Sequence, residues 1–311
     1  MGREHKAVLA GKYRNLVEKR NRGPDEAIYT LRRNTHRLEK GLIMRPRREV
    51  FADGYILETV RRYQSLLKRE DQALLLGWSH DVLSEYFRVV GTSENINESR
   101  RIFSACVQPS VGENEGRRQP YIRDFSRSHS ISIEDMLALA KFRRSCRWFK
   151  QQQVPRSIID MAMTVAGYSP SACNRQPFNF RIFDDPTLAQ KFGSLSMGTS
   201  GFAQNFPALA VIVGDLSAFP DERDRHVPYI DASLAAMAFQ FALEVQGVSS
   251  CCINWPDVKF RDERIERELG LKADERVVML MAFGYPEQEL PVPFSQKKRL
   301  EDLRSYNQHA S

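Results

Sequence analysis

Residues 230–245, Ile-Asp-Ala-Ser-Leu-Ala-Ala-Met-Ala-Phe-Gln-Phe-Ala-Leu-Glu-Val, constrain the fold more than any other stretch of this chain. Ala, Leu, Met and Phe place apolar atoms on nearly every side of the helix they would form, and Gly247 ends it. A helix that is apolar all round has no face to give to water, so it is expected to be central and buried. No stretch reaches the 18 uninterrupted apolar residues that a membrane-spanning helix needs.

The elements on either side should cover that helix. Ser132-Ile133-Glu134-Asp135 has the pattern of a helix start, with Met136, Leu137, Leu139 and Ala140 as its apolar face. Val154-Pro155 opens a second helix whose Ile158, Ile159, Met161, Ala162 and Val165 are expected to pack inward. Residues 178–183, 208–213 and 276–283 read as buried strands, and 263–269 as a further helix. Helices and short strands alternate without a regular βαβ rhythm, which indicates an α+β fold.

Residues 1–90 read as helical, with Ala27, Ile28, Leu31, Leu38 and Leu42, and then Val60, Tyr63, Leu67 and Leu74, at helix-like spacing. Residues 91–130 mix turn formers with charges, among them Gly91-Thr92-Ser93, Pro109-Ser110, Gly112 and Gly116-Arg117-Arg118-Gln119-Pro120, and read as a linker or extended arm. The organisation expected is therefore a basic helical extension and linker over 1–130 and a second unit over 131–311. Charge divides along the same lines. Residues 1–50 hold 14 Lys/Arg against 6 Asp/Glu, whereas 131–311 hold 21 against 22. A basic segment can meet nucleic acid, anionic lipid or an acidic partner, or be a solvated helix face. The extension lacks the aromatic interleaving of a nucleic-acid module, so no nucleic-acid partner is expected.

The first 30 residues lack the apolar core of a secretory signal, which leaves a cytoplasmic location as the expectation. Five cysteines with no C-x-x-C pair argue against a disulfide framework, and most are expected to be small buried residues. The six histidines form no H-E-x-x-H pair, so no metal is expected. Neither a G-x-G-x-x-G nor a G-x-x-x-x-G-K-[ST] loop occurs, and nothing suggests a catalytic triad or carboxylate pair.

Three segments carry the chemistry. Lys141-Phe142-Arg143-Arg144-Ser145-Cys146-Arg147-Trp148-Phe149 sets three guanidinium groups and a hydroxyl at a helix end, and planar guanidinium forks suit phosphate. Tyr168-Ser169-Pro170-Ser171-Ala172-Cys173-Asn174-Arg175-Gln176-Pro177-Phe178 combines two loop-fixing prolines with carboxamides that can both donate to and accept from a heterocycle edge. After the last strand come Gly284-Tyr285-Pro286 and the cluster Lys297-Lys298-Arg299.

Taken in order, R-R-S-x-R-x-F, then S-P-S-x-x-N-x-Q-P, then a late G-Y-P with a basic cluster, residues 131–311 resemble the nitroreductase family. The resemblance implies a nitroreductase-like fold with a central mixed sheet around the long buried helix, and FMN at a homodimer interface with both subunits contributing. Arg143 and Ser145 would lie near the ribityl phosphate with Lys297 and Arg299, and Arg144 belongs to the same strip. Arg147 would face the pyrimidine edge, where a fixed cation stabilises the anionic reduced flavin. Pro170, Ser171 and Ala172 would pack over the flavin from the partner subunit, with Asn174 and Gln176 fixing that loop or touching the cofactor. Asn254 and Trp255, in Ile253-Asn254-Trp255, match the segment whose backbone N–H faces the hydride-accepting nitrogen. Phe178 departs from the Trp that many members carry after Q-P, and a further flavin contact is expected somewhere in Gly198-Thr199-Ser200-Gly201-Phe202.

The activity implied is an FMN-dependent NAD(P)H oxidoreductase. It would work in ping-pong order, from NADH or NADPH through FMN to a quinone, nitroaromatic or biosynthetic intermediate, and it needs no side-chain acid or base. The alternative is a flavin-fold binding or assembly component with little turnover, docking through the basic arm. His36-Arg37-Leu38-Glu39-Lys40-Gly41-Leu42 resembles a segment of extended nitroreductase-like proteins from bacterial surface-polysaccharide gene clusters. Two readings of it stand. His36 could be an acid or base while Arg37 or Lys40 holds an anionic sugar. Otherwise Glu39 pairs with neighbours and Gly41 stops the helix or allows close packing.

Overall fold

The computed structural model describes residues 5–12, 24–107, 116–126, 130–219, 221–289 and 291–307. Pro109, Ser110 and Gly112 of the expected linker lie outside them. Four strands, β1 (Phe178–Phe183), β2 (Ala208–Asp215), β3 (Ser249–Asn254) and β4 (Glu275–Gly284), form one sheet in the order β1-β2-β4-β3. Every ladder between them is antiparallel, so the sheet is not the mixed one expected. Among the described residues, parallel pairing is confined to one isolated bridge, Ser145 to Ser250. β1 is a half-buried edge strand, not a buried one. β3 has no clear sequence signal, because Ser-Ser-Cys-Cys-Ile-Asn holds only one β-branched residue, Ile253.

β2 explains the layering. Successive side chains of a strand point to opposite faces, and all but the last of its residues are buried. Leu209, Val211 and Val213 face a core built with Phe192, Phe206, Trp255 and Ile265. Ala208, Ala210 and Ile212 face a second core with helices α7 (Arg156–Gly167) and α9 (Val227–Glu244), through Ile159, Ala162, Ala166, Ala235, Ala236 and Phe239. Small residues on β2 and α9 let helix and sheet approach closely. Full burial of a large side chain such as Phe239 contributes about 1.5–3 kcal/mol.

The N-terminal helices are α1 (residues 5–12), α2 (Pro24–Leu42), α3 (Asp53–Leu66), α4 (Ala73–Val89) and α5 (Glu94–Ser104). α2 to α5 enclose a core of their own, with Leu31, Leu38, Ile56, Tyr63, Leu83 and Tyr86. α5 corrects the linker expected from residue 91. Ser93 there is an N-cap, its hydroxyl accepting from the Ile96 amide, and Ile96 is buried. Leu74, expected on the packed face, is exposed. The helix α6 (Ile133–Phe142) opens with a full capping box between Ser132 and Asp135. The remaining helices are α8 (Pro186–Gly193), α10 (Lys259–Leu269) and a single turn, α11 (Leu300–Leu303).

Three expectations of burial fail together. α6 has no buried residue, and its Met136 and Leu137 face solvent. Met161 and Val165 of α7 are exposed. The long helix α9 is buried along one side only, and Ile230, Leu234 and Met237, with Val245 just beyond its end, form an exposed apolar row at positions i, i+4, i+7 and i+15. A pattern that is apolar all round signals two covered faces, and a single chain covers only one of them. Among the described residues, no helix is long and apolar enough to cross a membrane.

Candidate functional site

After α6 the chain becomes extended and lies along the β3 edge of the sheet. The Cys146 amide donates to Ser250 O at 3.1 Å, and the strip then crosses to the end of β4, where Lys150 N donates to Tyr285 O at 2.8 Å. This pairing explains the alternation within the strip. Cys146 is buried, and burial pushes its thiol up to about 11, too high to serve as a thiolate nucleophile. Arg143, Ser145 and Arg147 are partly exposed. Of the five cysteines only Cys146 and Cys251 are buried, and Cys252 on the outer edge strand faces solvent, which corrects the expectation for most of them.

Arg143 lies beside the C-terminal end of α9. Glu244 there is buried, and burial raises its carboxyl above the ordinary range, against the opposing pull of Ser249 and Arg143. One oxygen of Glu244 accepts from Ser249 Oγ at 3.1 Å. The Nε of Arg143 is buried and has no hydrogen-bond partner among the described residues. Arg147 stacks over Phe202 at 5.8 Å, and Asn205 Nδ2 binds its backbone carbonyl at 3.1 Å. Neither Arg143 nor Arg147 forms an ion pair among the described residues. The donor set therefore holds two guanidinium groups not committed to a carboxylate, with Ser145 between them. One buried donor is left open. That chemistry fits a phosphorylated ligand.

Arg144 behaves differently. Its guanidinium is drawn to the tail, donating to Pro293 O and, at 2.8 Å, to Phe294 O. Arg144 thus holds the tail that carries Lys297 and Arg299. Both of these are exposed, Arg299 lies 3.4 Å from Asp302, and among the described residues neither is hydrogen-bonded to Arg143 or Ser145.

The second segment forms a tight loop ahead of β1. Cys173, Asn174 and Gln176 have φ of 54°, 51° and 51°, a left-handed backbone that residues other than glycine adopt at a cost. Local bonds hold it: Gln176 N to Ser171 Oγ at 3.1 Å and Gln176 Nε2 to Gly167 O at 2.8 Å. The Ala172 amide donates to Asp231 Oδ2 at 3.0 Å, and Ser169 Oγ to Leu234 O at 3.4 Å, so the loop is tied to the stretch of α9 that bears the exposed apolar row. Asp231 is buried, which raises its carboxyl above the usual range. Pro170 is exposed, and Ser171 and Ala172 are partly so.

Asn254 and Trp255 follow at the end of β3. The Trp255 side chain is buried and spent on Asp262, with Nε1 to Oδ1 at 2.7 Å, which leaves its backbone for any ligand contact. Both residues line a cavity of about 320 Å³ with His226, Tyr229 and Arg276. In the 198–202 segment, Phe202 is placed beside Arg147.

Sequence reasoning missed Asp231, Gln240 and Glu244, three polar residues within an apolar helix, and that interruption was the available signal. Gln240 Nε2 holds Ser250 Oγ at 2.9 Å and so fixes the strand to which the cationic strip is bonded. In the N-terminal motif, Glu39 accepts from Trp78 Nε1 at 2.9 Å and lies 3.4 Å from His36 Nδ1. Arg37 stacks on Tyr55 at 3.8 Å. At Gly41 a Cβ would fall 2.5 Å from the Phe51 ring, and the helix runs on to Leu42. The close-packing reading of that motif is the one the contacts follow. Among the described residues no cluster of His, Cys, Asp or Glu could hold a metal ion.

Residues 140–200 and 189–285 match the nitroreductase family. A protein of Archaeoglobus fulgidus named for NADH dehydrogenase and NAD(P)H nitroreductase is 30% identical over 162 residues, covering 50% of this chain and 88% of that protein. Human iodotyrosine deiodinase 1 is 25% identical over 201 residues, covering 55% of this chain and 68% of the deiodinase. The solved structure of B. megaterium NfrA2 superposes with a TM-score of 0.50 at 15% identity, covering 56% of this chain and 74% of that one, a likeness of fold.

Proposed function

This chain belongs to the nitroreductase family, and from that premise we propose that it is a cytoplasmic, homodimeric FMN-dependent NAD(P)H oxidoreductase. The observation that carries the reading is the 143–147 strip, where Arg143 offers a buried Nε–H with no partner among the described residues, beside Ser145 and Arg147. Arg143 and Ser145 would hold the ribityl phosphate, and Lys297 and Arg299, exposed on the tail that Arg144 anchors, would close onto it when the ligand is bound. Arg147 would lie at the pyrimidine edge of the ring system, where a cation held over Phe202 would favour added negative charge. When bound, FMN supplies the redox chemistry, accepting hydride from reduced nicotinamide and passing electrons to a second substrate in the same pocket.

The homodimer is supported by the exposed apolar row on α9 together with α6, Met161 and Val165. Exposed apolar side chains on helices that pack together suit a contact with another chain. Its occupant is a second copy, because the 169–172 loop is bonded to α9 at that row. Pairing two copies there would bring each loop onto its partner and let Pro170, Ser171 and Ala172 exclude water from the flavin. Asn174 and Gln176 keep the loop in shape. No side chain needs to move a proton, which agrees with thiols raised by burial at Cys146 and Cys251. The names of the relatives span nitroreductase and deiodinase, so the electron acceptor is the variable part, and a quinone, a nitroaromatic or a biosynthetic intermediate are the classes proposed.

The absorption spectrum of the purified protein, followed by an NADH and NADPH oxidation assay with benzoquinone, tests this reading. A flavin spectrum with steady turnover is expected. A yellow protein that oxidises neither nicotinamide would favour a binding component instead, and a protein that takes up no FMN ends the proposal.

A further inference from the structure

Flavin chemistry makes no demand on residues 24–107, yet α2 reaches into the loop just described. Arg32 donates from Nε to Asn174 O at 2.9 Å and from its terminal nitrogen to Gln176 Oε1 at 2.7 Å. Both acceptors belong to residues with left-handed backbone. Apart from the two bonds to α9, Ala172 N to Asp231 and Ser169 Oγ to Leu234 O, the loop's other ties named above are within itself or to the end of α7. A single planar fork that bridges two strained residues suits guanidinium and not ammonium.

Arg32 is itself held from behind. Its guanidinium lies 5.8 Å from the centre of the Trp78 ring on α4, and the Trp78 indole N–H is fixed by Glu39 of α2 at 2.9 Å. Glu39 in turn lies 3.4 Å from His36 Nδ1. Burial of Arg32 lowers its pKa, as expected for a cation taken out of water to make these contacts. The His36 to Leu42 motif, which the flavin site did not absorb, thus ends on that loop.

We propose that Arg32, backed by the Glu39–Trp78 pair, is a positioning residue through which the N-terminal helices hold the 171–176 loop in its flavin-covering shape. The extension then serves as a built-in brace for the cofactor site. This rests on the reading of that loop as a flavin cover.

The test compares wild type, Arg32→Ala, Arg32→Lys, Glu39→Gln and, as a control on an exposed side chain, Lys40→Ala, all as full chains. Two readouts are taken: amide hydrogen exchange of peptides covering 170–176 in flavin-free protein, and the FMN dissociation constant. Arg32→Ala should speed loop exchange and weaken FMN by about tenfold or more, the scale of a charge-assisted bond, while exchange in α3 and α9 stays at wild-type rates. Arg32→Lys reaches one acceptor at most and should fall between. Glu39→Gln keeps an acceptor for the Trp78 N–H and should stay near wild type, as should Lys40→Ala. Loop exchange and FMN affinity unchanged in Arg32→Ala would overturn the proposal and leave the flavin assignment standing. Should Arg32→Ala unfold, Arg32→Lys decides on the same two readouts. If wild type binds no FMN, the functional reading fails, and loop exchange alone still decides whether Arg32 holds the loop.

Discussion

Replacing Leu234 with glutamate puts a charge in the middle of the apolar row on α9. In one chain Leu234 is 44% exposed, so less than half of its surface remains for a partner to cover. Full burial of a leucine contributes about 1.5–3 kcal/mol, so that remainder is worth about 1 kcal/mol per protomer and about 2 across a symmetric pair. The new carboxylate costs more, because desolvating it without a partner takes several kcal/mol at each of the two copies. Together the two losses exceed about 5 kcal/mol, which weakens association by at least about a thousandfold. Within the chain the change is mild, because the site is already solvated and glutamate is a good helix former. Sedimentation at micromolar concentration should therefore give a folded monomer, and the flavin absorbance should fall with the dimer. A variant that sediments as wild type and keeps its full FMN would refute both the interface and the shared site.

The other consequences are more local. Arg143→Ala removes the buried open donor of the strip and should weaken FMN by about ten- to a hundredfold with little change in melting temperature; unchanged flavin affinity counts against the phosphate assignment. Gly41→Ala drives a Cβ to 2.5 Å from a Phe51 ring that packs edge-on against Tyr86, and should cost about 1–3 kcal/mol in urea unfolding. A neutral result would mean the ring swings aside freely. Burial raises Asp231, so the folded chain keeps this proton to higher pH than the unfolded one. Its contribution favours the fold below about pH 4 and is lost as pH rises through the raised value. Asp231→Asn preserves an acceptor for the Ala172 amide and should flatten the fall in unfolding free energy as pH rises above about 4, and an unchanged slope would contradict it.

Where the sequence was legible, the signal was local. The helix start at Ser132 to Asp135, the strands at 178–183 and 208–213 and the Gly247 stop depend on neighbours a few residues apart, and the structure has them where expected. β3 and α5 were hidden because small polar residues dilute their periodicity. The single-sided burial of α9 could not be read, since hydrophobicity records that a face is covered and not by which chain. The cationic strip was visible as a cluster of arginines, but not its internal division of labour. Arg144 turns to the tail because Pro293 and Phe294 pass there, 149 and 150 residues away in sequence. The hold of Arg32 on the loop spans a similar gap and leaves no local pattern. The left-handed residues Cys173, Asn174 and Gln176 were equally opaque, because only Asn among them commonly adopts that conformation.

The whole functional reading rests on Arg143 and Ser145 of the strip, with Arg299 and Lys297 of the tail, holding a mononucleotide by its phosphate. Flavin-free protein titrated side by side with FMN and with riboflavin, which differ only in that group, isolates this contact. FMN should bind at least about a hundredfold more tightly, as expected for a dianion met by two guanidinium groups. Equal affinities for the two flavins would contradict the phosphate hold.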